Sequence, residues 1–108
     1  MKQKTIFTNG VYDILHVGHF NLLEYASRYG QLHIAIDSDE RVKKLKGLNR
    51  PFFNENERRY MLMRIKKVNK VYIFHNDEEL KMLVQILNPD LMIVGSDYKG
   101  KKVIGSEF

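Results

Sequence analysis

Two histidines, His16 and His19, flank a glycine in the stretch Thr8-Asn9-Gly10-Val11-Tyr12-Asp13-Ile14-Leu15-His16-Val17-Gly18-His19. Positions three apart in the first turn of a helix share one face. A helix start also presents unpaired N–H groups and the positive end of the dipole, which together make a phosphate site. Imidazoles placed there donate hydrogen bonds to phosphate oxygens that gain charge in a phosphoryl-type transition state. Gly18, with no side chain, lets a nucleotide lie against the backbone. From average residue usage, the pattern His-x-Gly-His is expected by chance in about a few chains per thousand of this size. The bland alternative is that His16 caps a helix and His19 packs on the surface. Zinc is a weak reading, because two His three apart have no Cys and no evident third ligand beside them. The stretch contains neither GxGxxG nor GxxxxGK[ST], which removes the dinucleotide fingerprint and the Walker phosphate loop.

A second feature is charge. The formal net charge is +5, but residues 41–70 hold eleven Lys and Arg against Glu55 and Glu57, a balance of +9 that leaves the remainder at −4. Such a cluster attracts phosphates, nucleotides or nucleic acid. Most of these residues read as a solvated helical face. Lys46 and Arg50 stand apart, because Gly47, Asn49 and Pro51 give residues 46–54 loop character.

These residues need elements to position them. Thr5-Ile6-Phe7-Thr8 reads as a first strand ended by Asn9-Gly10. Phe20, Leu22, Leu23 and Ala26 mark a helix from about Gly18 to Arg28, with Gly30 as its C-cap. Residues 32–36 read as a second strand, and Ser38 or Asp39 caps a short helix through Leu45. Asn54 or Asn56 starts a helix through about Lys67. Residues 71–74 read as a third strand. Leu80, Leu83, Val84 and Leu87 mark a helix from Asp77 that Asn88-Pro89 stops. Residues 91–94 read as a fourth strand ended by Gly95, followed by loop. Strands alternating with helices predict an α/β fold: a Rossmann-like open parallel sheet with helices on both faces, one domain over 1–108. In such sheets the ligand sits outside the carboxyl ends of the strands, here residues 9–19, 37–50, 75–77 and 95–98. His33 and His75 read as structural, with His75 ending the third strand near that edge.

The bulk composition narrows the class. With 108 residues, 44% apolar and 29% charged, the chain supports one packed core and is a poor candidate for disorder. No apolar run reaches the ~18 residues of a membrane span, and no secretory leader pattern opens the sequence. The absence of Cys removes disulfides, thiolate zinc sites and cysteine nucleophiles. A cytoplasmic setting fits that absence.

The stretch from Thr8 to His19 resembles the signature of the cytidylyltransferase-like nucleotidyltransferases. The resemblance continues in Ser38-Asp39-x-x-Val42-Lys43-x-Leu45-Lys46-Gly47-x-x-Arg50-Pro51, in Glu57-Arg58, and in Pro89-Asp90-x-x-x-x-Gly95-x-Asp97-Tyr98. Within the family these blocks look most like heptose-1-phosphate adenylyltransferase domains, with glycerol-3-phosphate cytidylyltransferases a close second. The resemblance implies that ATP or CTP and a phosphorylated sugar or polyol give a nucleotide-activated product and pyrophosphate. It implies phosphate contacts for His16, His19 and Lys46, a place for the nucleotide along Thr8, Asn9, Gly10 and Gly18, and generic site positions for Asp13, Arg50 and Asp97. It implies Mg²⁺ held mainly by the triphosphate, and members that are commonly homodimers. No membrane or nucleic acid is expected as partner.

The chemistry agrees. An acceptor phosphate is already an anion at pH 7 and needs no general base, which fits the lack of a Ser-His-Asp set or a carboxylate pair. Family members usually add a later strand, an Arg and a Ser-Thr-Thr-type helix start, and this sequence reaches Phe108 without them. A catalytically incomplete nucleotide-binding domain is therefore the alternative reading. A basic nucleic-acid-binding module is a third, for which no binding motif is present. A class I aminoacyl-tRNA synthetase fragment lacks its Lys-Met-Ser-Lys-Ser partner loop here.

Overall fold

The computed structural model describes residues 3–93. Asp97, the Gly95 turn and the tail expected to be loop lie outside the described residues. Eight elements follow one another: β1 (Thr5–Gly10), α1 (Val17–Ser27), β2 (Gln31–Asp37), α2 (Asp39–Lys46), α3 (Glu55–Met63), β3 (Val68–Phe74), α4 (Asp77–Leu87) and β4 (Leu91–Ile93). The four strands form one sheet in the order β3-β2-β1-β4, and every pairing is parallel. The sheet grows from β1 outward through β2 and β3, then returns to place β4 on the other side of β1. The strand order thus reverses at β1, the switch point where open α/β sheets leave a crevice at their carboxyl edge.

Both faces are covered, as the alternation predicts. Leu22, Leu23 and Ala26 of α1 and Leu62 of α3 pack with Ile6, Ile34 and Ile36 of the sheet. On the opposite face, Val84 of α4 packs with Phe7, Ala35, Phe74 and Met92. The buried strands β1 and β2 carry near-continuous apolar runs because helices cover them on two sides.

Side-chain caps set the helix starts. Ser38 caps α2 by accepting from the Arg41 amide; Asp39 and Glu40 occupy the first turn and Lys43, Lys44 and Lys46 the last, each sign matched to the dipole. Asn54 and Glu57 form a reciprocal capping box on α3, and Asn76 caps α4 by accepting from the Glu79 amide.

Several boundaries differ from the expectation. β1 continues through Asn9 and Gly10, which pair with Ala35 and Ile36 of β2. Helix α3 stops at Met63 rather than near Lys67, and β3 begins at Val68 rather than Val71. Only Val68 is buried among residues 68–70, so Asn69 and Lys70 hide the strand from any apolar-run reading. The Asn69 side-chain oxygen accepts from the Leu32 amide at 2.9 Å where the β2–β3 register shifts. Lys46 is the last residue of α2, not a loop residue. Arg28, not Gly30, caps α1. Gly30 instead permits a close approach: a Cβ there would meet the Lys4 carbonyl oxygen at 2.1 Å.

Candidate active site

The turn between β1 and α1 leaves the sheet at the switch point and carries the histidine pair. His16 is the N-cap of α1, and its Nδ1 accepts from the Gly18 amide at 3.0 Å. His19 is the third helical residue, and its Nδ1 accepts from the His16 amide at 3.2 Å. The two histidines thus form a reciprocal capping box built from imidazoles. Their rings stack with centroids 4.0 Å apart and an interplanar angle of 28°. An imidazole nitrogen that accepts keeps its lone pair there, so each neutral ring carries its proton on Nε2. The capping role expected of His16 is thus present, and the cap fixes the Nε2–H tautomer of both rings.

Gly18 makes room for this geometry. A Cβ on Gly18 would lie 2.8 Å from His16 Cε1 and 3.1 Å from His16 Nδ1. Tyr12 packs beside His19. It is buried at 6% exposure, its ring centroid is 5.1 Å from that of His19, and its backbone sits at φ 52°. A left-handed tyrosine costs about 1–2 kcal/mol, and the burial of its ring offsets that cost.

The other expected residues divide by location. Asn9 and Gly10 end β1 at the carboxyl edge. Thr8 is buried, and its hydroxyl donates to the Ile93 carbonyl at 2.7 Å, locking β1 to β4. The Asp13 carboxylate accepts from the Phe52 amide at 2.7 Å and the Phe53 amide at 2.9 Å, tying the histidine turn to the segment after Arg50. The Arg50 guanidinium lies 4.9 Å over the Phe52 ring, and Lys46 is exposed. The structure brings His16 and His19 together directly, and it joins Asp13 to Phe52 and Phe53 beside Arg50.

Nine of the eleven Lys and Arg in residues 41–70 are exposed, as expected of a solvated face, and Arg41 and Arg58 are the exceptions. Arg58 is fully buried. Its Nε donates to Phe53 O at 2.9 Å, and one terminal nitrogen donates to Val11 O at 3.0 Å and Asp37 O at 2.7 Å. The other pairs with Asp39 Oδ1 at 2.7 Å. Arg41 bridges Asp37 at 2.8 Å and Asp77 at 2.9 Å, and Arg59 donates to the Val71 carbonyl at 3.2 Å on the outer strand. Sequence reasoning missed the buried role of Arg58. The available signal was its position four residues before the core residue Leu62, on the apolar face of α3.

The remaining histidines lie away from the pair. His75 is exposed at the end of β3, and its ring nitrogen is 2.9 Å from Glu79 Oε1. The hydrogen bond to Glu79 raises its pKa above the usual histidine value, and the His75 amide holds the Glu79 carboxyl below its usual range. Two strand spacings, roughly 10 Å, separate β3 from β1. His33 stacks on Tyr72 with a 2.9 Å contact between Nδ1 and the hydroxyl; desolvation and the Lys70 charge push its pKa down.

No helix among the described residues is long and apolar enough to cross a membrane. A sequence model described as cytidylyltransferase-like matches residues 7–102. The bifunctional protein HldE of Helicobacter pylori (strain P12) is 44% identical over 108 residues, covering 99% of this chain and 23% of that protein. The bifunctional protein HldE of Campylobacter fetus subsp. fetus (strain 82-40) is 46% identical over 104 residues, covering 95% and 22%. The chain thus spans less than a quarter of the length of these curated relatives. The crystal structure of a lipopolysaccharide core biosynthesis protein from Thermoplasma volcanium GSS1 matches with a TM-score of 0.78 at 27% identity, covering 91% of this chain and 79% of that chain. With the histidine pair at the switch point of a parallel sheet and a family match over most of its length, the chain belongs to the cytidylyltransferase-like family of nucleotidyltransferases.

Proposed function

We propose that this chain carries out nucleotidyl transfer from ATP or CTP to a sugar or polyol phosphate, supplying an activated precursor for cell-envelope carbohydrate in the cytoplasm. The observation that carries the reading is the stacked His16–His19 capping box at the carboxyl edge of β1. Support for a sugar phosphate as acceptor comes from the resemblance to heptose-1-phosphate adenylyltransferase domains and from the structural similarity to a lipopolysaccharide core biosynthesis protein.

In this reaction an oxygen of the acceptor phosphate attacks the α-phosphorus of the nucleotide. The bond from that phosphorus to the α–β bridging oxygen breaks, and pyrophosphate leaves. The attacking oxygen is already anionic, so no side chain has to remove a proton. The chain's task is to hold two anions in line and to stabilise the charge that develops on the phosphates. Nε2–H donors on His16 and His19, the positive end of the α1 dipole and the Lys46 ammonium serve that task. Gly10 and Asn9 provide the floor at the strand end.

Mg²⁺ enters as a companion of the triphosphate. No three His, Asp or Glu side chains among the described residues are grouped to hold an ion. Among the described residues the ion would therefore be held by the triphosphate rather than by a cluster of side chains.

Pyrophosphate release with ATP and CTP against a panel of sugar and polyol phosphates tests the proposal. Release should require both a nucleotide and an acceptor. His16→Ala and His19→Ala should each lower turnover by about 10²–10³-fold, the usual loss for one transition-state donor. Acceptor-independent release, or near-normal turnover in the double variant, would refute the assignment.

A further inference from the structure

We propose that Arg58 is a positioning residue for the transfer reaction, a clamp that fixes the histidine turn against the segments carrying Lys46 and Arg50; this rests on the nucleotidyl-transfer reading. Its guanidinium is fully buried, and all of its bonds point to the carboxyl edge of the sheet. Val11 opens the turn that carries His16 and His19. Asp37 ends β2, and Asp39 begins α2, which ends at Lys46. Phe53 belongs to the segment that follows Arg50. One side chain therefore joins the three segments that hold the expected phosphate-binding groups.

The connection is closed into a ring. Asp13 lies two residues after Val11, and its carboxylate accepts from the Phe52 and Phe53 amides. Arg58 accordingly binds the same turn at Val11 O and the same segment at Phe53 O. The two segments are held by an anion on one side and a cation on the other, so neither moves without breaking charge-assisted bonds. A second brace supports the charge partner: the Asp39 amide donates to Glu55 Oε1 at 2.8 Å, tying α2 to the start of α3.

Packing alone does not account for this arrangement. A buried ion pair is often replaceable by apolar side chains of similar volume without loss of stability. The planar fork is what reaches two backbone carbonyls, a third carbonyl and a carboxylate together. A lysine, with a compact ammonium, retains the charge but cannot reproduce that pattern.

Arg58→Lys is compared with Val68→Ala, a core change at the opposite end of the sheet. Folded fraction is read from thermal melts, turnover from pyrophosphate release, and the site from backbone amide shifts. Arg58→Lys should lower kcat per folded molecule by about 10²-fold, the cost of roughly 1 Å of misplacement, with nucleotide Kd changed by less than about threefold. Its apo-state amide shifts should move across Val11–His19 and Phe52–Phe53. Val68→Ala should lower the melting temperature while kcat stays within about twofold. Turnover of Arg58→Lys that tracks its folded fraction, with shifts confined to α3, would overturn the proposal. Should Arg58→Lys not fold, Asp39→Asn takes its place: it keeps the shape and removes the charge. Asp39→Asn should lower kcat and move the Val11–His19 amides, and unchanged turnover with shifts confined to residues 37–41 would overturn the clamp. The amide shifts need no substrate. Absence of pyrophosphate release by the unaltered chain would therefore count against the transfer reading while the clamp is still judged by its shifts.

Discussion

Replacing Gly18 with alanine separates the catalytic reading of the histidine pair from a purely structural one. The added Cβ would sit 2.8 Å from His16 Cε1, against an optimal carbon–carbon separation near 3.5 Å, so the ring must retreat by about 0.7 Å. The cap bond from the Gly18 amide to His16 Nδ1 is 3.0 Å long, and the same retreat would carry it to about 3.7 Å, outside hydrogen-bonding range. Two opposing stability terms follow. Losing a cap costs about 1 kcal/mol, whereas alanine is better than glycine inside a helix by about 0.8–1.0 kcal/mol. Gly18 carries no positive φ that an alanine would strain. The net change in stability should therefore lie within about 1 kcal/mol of zero. Turnover should nevertheless fall by about 10²-fold, because the His16 ring leaves the position where it stacks on His19 and its tautomer is no longer fixed by the cap. Chemical denaturation gives the first quantity and pyrophosphate release the second. A variant with unchanged stability and turnover within about threefold of the unaltered chain would show that His16 does not act from its capped position.

Two further outcomes are expected. Lys46→Ala should weaken nucleotide binding even at high salt, while Lys67→Ala should differ from the unaltered chain only at low salt, because a contact to phosphate resists screening and a field beyond ~10 Å does not; calorimetric titration at two ionic strengths decides, and equal losses that vanish together with salt would refute a special contact for Lys46. The folded state holds His33 below its usual pKa through desolvation, so below pH ~6.5 the unfolded chain takes up a proton that the folded chain does not. The His33 contribution is complete above that pH and is lost as pH falls toward the folded value; His33→Phe should flatten the acid side of the stability curve measured by denaturant titration, and an unchanged or steeper acid side would refute this sign.

The sequence by itself determined the alternation of elements and the local form of the histidine turn. Continuous apolar runs at 34–36 and 91–93 require cover on both faces, which only a parallel sheet between helix layers provides. Caps such as Ser38, Asn54 and Asn76 are local devices, because each acts on amides within three residues of itself. The spacing of His16, Gly18 and His19 is likewise local, so the pair was legible before any contact was known. Elements whose exposure depends on neighbours were not. The strand at Val68–Lys70 looks polar because it lies on the sheet edge, and the end of α3 at Met63 was hidden in a run of basic residues. Only the tertiary structure decided that Asp13 holds Phe52 and Phe53, across some forty positions, and that Arg58 is a buried clamp rather than one more cation on a solvated face. A guanidinium is stable in the interior only where the fold delivers carbonyls and a carboxylate to it from distant segments, and no spacing along the chain records that convergence.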